Sequence, residues 1–313
     1  MSEIAKTTQP GEGAGTEGAV ERSFETPGAV RLRVENASGR VEIETHDAPT
    51  TDVRVVAIGR SAGELVAGAR ITERTTSRGH EVVVEIPQGR GKARFWSGDG
   101  SAVGVSVRVP PDAELDVSTA SASVGAAGAY RAANIKTASG EIVLGYVAGE
   151  VRVRTASGAL DLEAAGDVVD VQSASGDVRV GVASVGGKVT TASGDVDLGR
   201  AGQLMRIHSA SGDVRVGEAL EGARVETVSG DQRIERASGG DYILRTVSGD
   251  ILVAVVPGAL IRFDTGSMSG RVSTDIEVEP DRPADTGGDA RGPELLIQAK
   301  TVSGDITVTR AGG

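Results

Sequence analysis

The sequence contains no cysteine, which excludes disulfides, thiolate metal sites and cysteine nucleophiles together. Aromatic residues make up only 2% of the chain. Its core must therefore be packed from Val, Ile, Leu and Ala. Basic residues are in the minority, 33 Lys and Arg against 44 Asp and Glu, for a formal charge of −11. A nucleic-acid partner needs a basic face, so none is expected. An anionic membrane surface would repel the chain, so no membrane partner is expected either. No apolar run reaches the 18 residues that suggest a membrane-spanning helix. The first residues, MSEIAKTTQPGEGAGTEG, lack the basic segment followed by an apolar stretch that marks a secretory leader. These absences lead to the expectation of a cytoplasmic protein whose residues 1–20 form a disordered tail.

Glycine is abundant. The chain has 45, roughly twice the usual share. With no G-x-y period, collagen is excluded and many tight turns are expected.

The turns recur at a fixed interval. Ser-Gly pairs begin at Ser139, Ser157, Ser175, Ser193, Ser211 and Ser229, each 18 residues after the last. Ser121, without its glycine, lies one period upstream; Ser248, Ser269 and Ser303 follow at intervals of 19, 21 and 34. Stacked by period, the sequences fall into columns. Ile142 and Leu144, Leu160 and Leu162, Val178 and Val180, Val196 and Leu198, and Val214 and Val216 form one apolar pair of columns. Val151 and Val153, Val169 and Val171, Met205 and Ile207, and Ala223 and Val225 form a second. Apolar residues spaced by two make strands with one buried face. Each period thus holds two short strands and two turns, and neither strand can bury its apolar face until the next coil stacks on it.

The predicted fold class is all-β: a right-handed parallel β-helix, or β-solenoid, with ~18 residues and two short strands per coil, preceded by an antiparallel β cap. Coils ~4.8 Å apart, roughly eight to ten of them, give a rod on the order of 40–50 Å. Residues 21–117 are assigned to the cap and 118–313 to the repeat domain. A flexible insertion, acidic and rich in Pro and Gly, is expected near 279–293. The cap reads as alternating strands, such as Val30, Leu32 and Val34, separated by turns such as Ala37-Ser38-Gly39, with a short helical piece over 61–69. Its task would be to cover the open end of the coil stack. Trp96 and Phe95, on a glycine-rich loop at 89–102, are expected to tuck over the core of the cap.

Strand phase breaks inside each coil. Counting forward from Val151 and Val153 turns Thr155 inward, whereas counting back from Leu160 and Leu162 turns Gly158 and Ala156 inward. The chain must bend within Thr-Ala-Ser-Gly, where Gly158 can supply a positive φ and the hydroxyls can bond nearby backbone.

The candidate sites lie in columns of the repeat. An acidic column follows the Ser-Gly pair: Glu141, Asp177, Asp195, Asp213, Asp231, Asp250 and Asp305. Stacked carboxylates ~5 Å apart repel or attract cations, so Asp177, Asp195, Asp213, Asp231 and Asp250 are the candidates for a calcium ladder or a carbohydrate-binding groove. One carboxylate per coil is few for calcium, and the Arg179, Asp197, Arg215 and Arg233 column can supply partial neutralisation, so solvated turn carboxylates are the expectation. The column Thr137, Thr155, Ser173, Thr191, Ser209, Thr227 and Thr246 would suit ice binding if it faced outward, and turn-stabilising hydrogen bonds if it faced the corner. Sugar-binding rods present aromatic platforms, and the repeats offer only Tyr130, Tyr146 and Tyr242. His46, His80 and His208 lack ligand spacing. No catalytic residue and no cofactor is predicted.

From about Phe24 to Arg310 the chain resembles the bacterial "putative adhesin" family of β-strand repeat proteins, a domain-of-unknown-function family. The segment VRLRVENASGRVEIETHDAPTTDVRV (Val30 to Val55) and the recurrent TASGDV and TVSGDI strings carry the resemblance. It implies a right-handed β-helix with a β-rich N-terminal part and no assigned catalytic residues. The expected function is a non-enzymatic, adhesin-like scaffold that binds an unknown protein partner or self-associates.

Overall fold

The computed structural model describes residues 19–59, 62–87, 102–276 and 292–312. The expected tail up to residue 18, Trp96 with Phe95, and most of the 279–293 insertion lie outside the described residues. Ala19 and Val20 already belong to strand Ala19–Glu25, where Val20 stands opposite Val55. The fold is all-β with predominantly parallel pairing, and the chain divides into two compact units, Met1–Ala129 and Tyr130–Gly313.

In the second unit, successive strands alternate between two parallel sheets. Leu144, Leu162, Val180, Leu198 and Val216 stand in register in one. Val153, Val171, Val189, Ile207 and Val225 do so in the other. All ten are at most 2% exposed. Each such side chain contributes about 1.5–3 kcal/mol when withdrawn from water. In the sheet that carries Val153, two small core residues stand beside large ones in neighbouring coils. Gly187 lies beside Met205, and Ala223 lies between Met205 and Tyr242. This exchange of volume keeps the interior close-packed. The Tyr242 hydroxyl donates to Ala219 O at 2.7 Å and accepts from Ser238 N at 3.1 Å. Burial pushes its pKa up to about 12.

The last two coils are stacked out of chain order. Strand Leu260–Ser269 pairs with Glu294–Ser303, which in turn pairs with Gly240–Arg245. Val272–Thr274 likewise reaches Ile251–Val255 only through Ile306–Arg310. The chain therefore builds its outermost coil at 260–274, then returns at 294–310 to fill the gap it left.

The first unit corrects the expectation of an antiparallel cap, because its centre is parallel. Val30–Asn36 is flanked by Gly79–Glu85 and Glu114–Thr119. Gly39–Thr45 is flanked by Ala102–Val109 and Ser123–Tyr130. Consecutive strands Val30–Asn36 and Gly39–Thr45 thus sit in different sheets, joined at Ala37-Ser38, as in a coil of the repeat. Antiparallel strands appear only outside this parallel centre. Thr50–Ile58 covers Ala102–Val109 and is itself covered by Ala19–Glu25; Arg70–Thr76 covers Gly79–Glu85. The short helix Gly63–Ala67, within the expected helical piece, turns Val66 inward.

The bend falls where the strand phases require it. Thr155 ends one strand, Leu160 begins the next, and Ala156 and Ser157 are exposed between them. The glycine has a different role from the one expected, because Gly158 is outside the positive-φ region. What requires glycine is close approach: a Cβ on Gly158 would stand 2.0 Å from Gly140 O of the previous coil. At Gly194 both conditions apply, with φ at +120° and Gly176 O 2.6 Å from the Cβ position. Gly194→Val is therefore expected to destabilise by about 3 kcal/mol or more. Thermal unfolding against the wild type checks this, and an unchanged melting temperature contradicts the corner assignment.

Candidate functional site

The acidic column lies on the outer side of these corners, with every member exposed. From Asp177 onward its carboxylates are engaged by backbone. Asp177 Oδ1 accepts from Asp195 N at 3.0 Å, Asp195 Oδ1 from Asp213 N at 2.9 Å, and Asp213 Oδ1 from Asp231 N at 2.8 Å. Asp231 Oδ1 accepts from Asp250 N at 2.8 Å and Asp250 Oδ1 from Asp305 N at 2.7 Å. At the outermost coil, Asp305 Oδ1 accepts from Arg271 N at 2.7 Å. The backbone carbonyls of the same residues point back down the stack. Asp195, Asp213 and Asp231 accept from Val178, Val196 and Val214 N, each at 2.9 Å. Each aspartate thus fastens its turn to both neighbouring coils. The partial positive charge of an intervening N–H offsets the repulsion between stacked carboxylates, and a charge-assisted bond of this kind is stronger than a neutral one.

The ladder has a definite start. An amide at this column needs a carboxylate at the same column one coil earlier. Asp177 follows Ala159, which has none, so the first bond is the one from Asp195 to Asp177. The corner changes conformation at the same place. Up to Ser173, the buried hydroxyl accepts from the corner glycine: Gly140 N to Thr137 at 3.0 Å, Gly158 N to Thr155 at 2.8 Å, Gly176 N to Ser173 at 2.9 Å. At Gly194, Gly212, Gly230, Gly249 and Gly304 the corner glycines turn to positive φ, from +120° at Gly194 through +129° and +132° to +146° at Gly249 and +148° at Gly304, whereas Gly270 on the outermost coil does not. The hydroxyls of Thr191, Ser209 and Thr246 then donate to Ser193, Ser211 and Ser248 O at 2.9, 3.0 and 3.2 Å. The freed glycine amides cross to the next coil, as from Gly230 N to Ser248 O and Gly249 N to Ser303 O, both at 3.0 Å.

These bonds decide the hydroxyl column. Thr137, Thr155, Ser173, Thr191, Ser209, Thr227 and Thr246 are all buried, at most 9% exposed. The reading of this column as an ice-binding face is corrected: its members continue the inward phase of their strands, and their hydroxyls are used by the corner. Two of the three candidate aromatic platforms, Tyr130 and Tyr242, are fully buried; only Tyr146 is exposed, at 45%.

The arginine column does not neutralise the ladder as expected. Arg215 bonds Glu235 at 2.8 Å and Asp197 at 3.4 Å, and Arg233 approaches Glu235 at 3.7 Å. The Arg215 hydrogen bond holds the Glu235 carboxyl below its ordinary pKa, against a smaller opposing effect of burial. Among the described residues no ion pair reaches Asp177, Asp195, Asp213, Asp231 or Asp250, and no group of three or more His, Cys, Asp or Glu is placed to hold a metal. The three histidines stay apart. His46 Nε2 lies 2.7 Å from Thr50 O, and His80 and His208 stand 2.8 and 3.2 Å from Glu73 and Glu226.

One functional residue is absent from the columns singled out in the sequence: Gln232, a polar residue where other coils have Val, Ile or Leu. It is 1% exposed, and its Nε2 donates to Thr227 Oγ1 at 2.9 Å and Arg245 O at 2.8 Å. The break in the apolar column at that position was the available signal.

The ladder separates acceptor from charge. Asp213→Asn keeps an oxygen for Asp231 N and is expected to stay near wild-type stability. Asp213→Ala removes the acceptor and is expected to cost about 1 kcal/mol. Denaturant unfolding of the pair checks this. Equal losses in both variants, or a large calcium-dependent rise in melting temperature lost in both, would point to charge or metal rather than to the hydrogen bond.

No match to the curated proteins was found. Solved structures give low-identity likenesses. A "putative lipid binding protein" from Parabacteroides distasonis is 13% identical over 95% of this chain and 98% of its own, with a TM-score of 0.41. A "putative adhesin" from Bacteroides fragilis is 12% identical over 94% and 98%, with a TM-score of 0.37. Likenesses of this size fix neither ligand nor activity. The sequence profile of the Toastrack DUF4097 family matches residues 29–309, covering both units, and the chain belongs to that family.

Proposed function

We propose that the chain is a non-enzymatic, adhesin-like binding scaffold with right-handed coils, and that it takes a protein partner along one corner of the repeat. A change of one residue type carries this reading. The second position of the corner is alanine in five successive coils, at Ala138, Ala156, Ala174, Ala192 and Ala210. It then becomes Val228, Val247, Val302 and, on the outermost coil, Met268. These four are exposed by 57%, 50%, 43% and 84%. The serines beside them, Ser229, Ser248, Ser303 and Ser269, bridge in register, so the four apolar side chains form one continuous ridge. Nothing in the corner requires them, because alanine serves the same turn elsewhere. An apolar strip rimmed by polar groups is the ordinary form of an interaction site.

Its flank selects the partner. Asp231, Asp250 and Asp305 run beside the ridge. A partner with an apolar strip bordered by Lys or Arg would meet both features. A second copy of this acidic chain, docked ridge to ridge, would bring like charges together. The Asp column is thus read as a fastener that also gives the ridge its charge, with no metal or cofactor.

The triple variant Val228→Ala, Val247→Ala, Val302→Ala restores the residue of the earlier coils. Each change is expected to alter stability by no more than about 0.5 kcal/mol. A photo-crosslinker at Ser229, introduced in the native host, is expected to capture a protein partner in the wild type and to lose it in the triple variant, while the same group at Arg179 captures none. Undiminished capture by the triple variant, or turnover of a small-molecule substrate by the purified chain, contradicts the proposal.

A further inference from the structure

The outermost coil of the second unit ends in an open edge. Leu260–Ser269 is the last strand of its sheet, and no described strand pairs with its far side. In the first unit the corresponding out-of-order coil, with Gly79–Glu85 and Ala102–Val109, is covered by antiparallel strands on both sheets. Here the inward-facing Ile261 and Phe263 remain only half-buried, whereas Leu295 and Ile297, their partners one coil inward, are 2% and 0% exposed. A long uncovered edge of this kind is a template for another strand.

We infer that this edge pairs with the same edge of a second copy, as a two-fold antiparallel dimer centred on Phe263. Three features of the strand fit that arrangement. Leu260 N donates inward to Pro293 O at 2.9 Å, and pairing with Glu294–Ser303 is regular from Leu260 to Ser267. By alternation, Ile261, Phe263 and Thr265 direct their N–H and C=O groups outward. A two-fold axis at Phe263 therefore makes Phe263 opposite Phe263 a hydrogen-bonded pair, with Ile261 opposite Thr265 on either side. Arg262 then falls opposite Asp264 of the second copy, and Asp264 opposite Arg262. These are the non-hydrogen-bonded positions, where facing side chains come closest, and opposite charges there attract. Both side chains are exposed, and Asp264 already holds Lys300 at 3.2 Å. Finally, the joint would cover Ile261 and Phe263 against their counterparts. The interface is isologous and closes on itself, so it stops at two copies.

This inference rests on reading the chain as a binding scaffold, but its contacts centre on Phe263, apart from Val228, Val247 and Val302 of the ridge, with which the strand shares only Met268 near its far end. The two can fail separately. The ridge triple variant is expected to leave the dimer intact, and monomeric edge variants are expected to keep the ridge partner.

The self-complementary charge pattern supplies the test. Light scattering on the full chain across a concentration series is expected to show a dimer for the wild type. Arg262→Asp places Asp opposite Asp and is expected to be monomeric. Asp264→Arg places Arg opposite Arg and is expected to be monomeric too. An equimolar mixture of the two variants restores both pairs and is expected to give a heterodimer; the double variant R262D/D264R is expected to return to a homodimer. The mixture also guards against misfolding, since unfolded variants could not recombine. A wild type that stays monomeric overturns the inference, as does a dimer indifferent to both single changes. A monomer whose Phe263 amide is nevertheless protected from hydrogen exchange would assign the edge to another segment of the same chain, and overturns it as well.

Discussion

The constraint on which the rest of this structure depends is in-register stacking at ~4.8 Å. Each corner lies directly over the same corner of the previous coil, so every residue type in the column meets its own copy. A side chain on the corner glycine would collide with the carbonyl beneath, at 2.0 Å for Gly176 over Gly158 and 2.3 Å for Gly212 over Gly194. The Ser-Gly recurrence is thus a consequence of backbone proximity, and φ is secondary. The same proximity makes a column of aspartates tolerable. Each carboxylate reaches the amide one coil on, and its charge is met by an N–H instead of by the next carboxylate.

The two corner conformations follow from this one rule. A glycine amide can be taken by the buried hydroxyl below it in sequence, or it can turn outward and cross to the next coil. The first form holds at Gly140, Gly158 and Gly176, where the preceding coil lacks an aspartate acceptor; Gly270 on the outermost coil stays out of positive φ although Asp305 beneath it accepts from Arg271 N. The second begins at Gly194, one coil after the first carboxylate of the unbroken run, at Asp177. A local change of one side chain, Ala159 to Asp177, thus coincides with a change of backbone conformation that propagates through five coils. The second form carries alanine at Ala192 and Ala210 and valine at Val228, Val247 and Val302 alike. That freedom is what lets the later coils present a ridge without altering the turn.

Much of the second unit was legible in the sequence, because columns spaced by 18 residues report stacking directly. The apolar pairs and the bend within Thr-Ala-Ser-Gly could be read from strand phase, whereas the two counts through the bend left the facing of the hydroxyl column open. What stayed hidden was the third dimension. The sequence shows aspartates stacked on aspartates, but it does not show that an amide stands between them. The out-of-order coil left only the odd intervals between Ser248, Ser269 and Ser303 as its trace. The first unit misled for a similar reason. Asn36-Ala37-Ser38-Gly39 is a corner like the others, with Asn36 buried and its Nδ2 donating to Val103 O at 3.0 Å. Its stacking partner is supplied from beyond residue 100, so no period announces it. Without a period, short alternating strands read as antiparallel.

The account's central claim is that carboxylates of the acidic column lock each coil to the next through backbone amides. Site-resolved hydrogen exchange at neutral pH tests it most directly, because these amides sit in exposed turns that would otherwise exchange quickly. The amides of Asp195, Asp213, Asp231, Asp250 and Asp305 are predicted to be protected, and the amide of Asp177, which faces Ala159, is predicted to exchange fast. Equal protection at Asp177 and at the other five, or fast exchange at all six, would contradict the ladder.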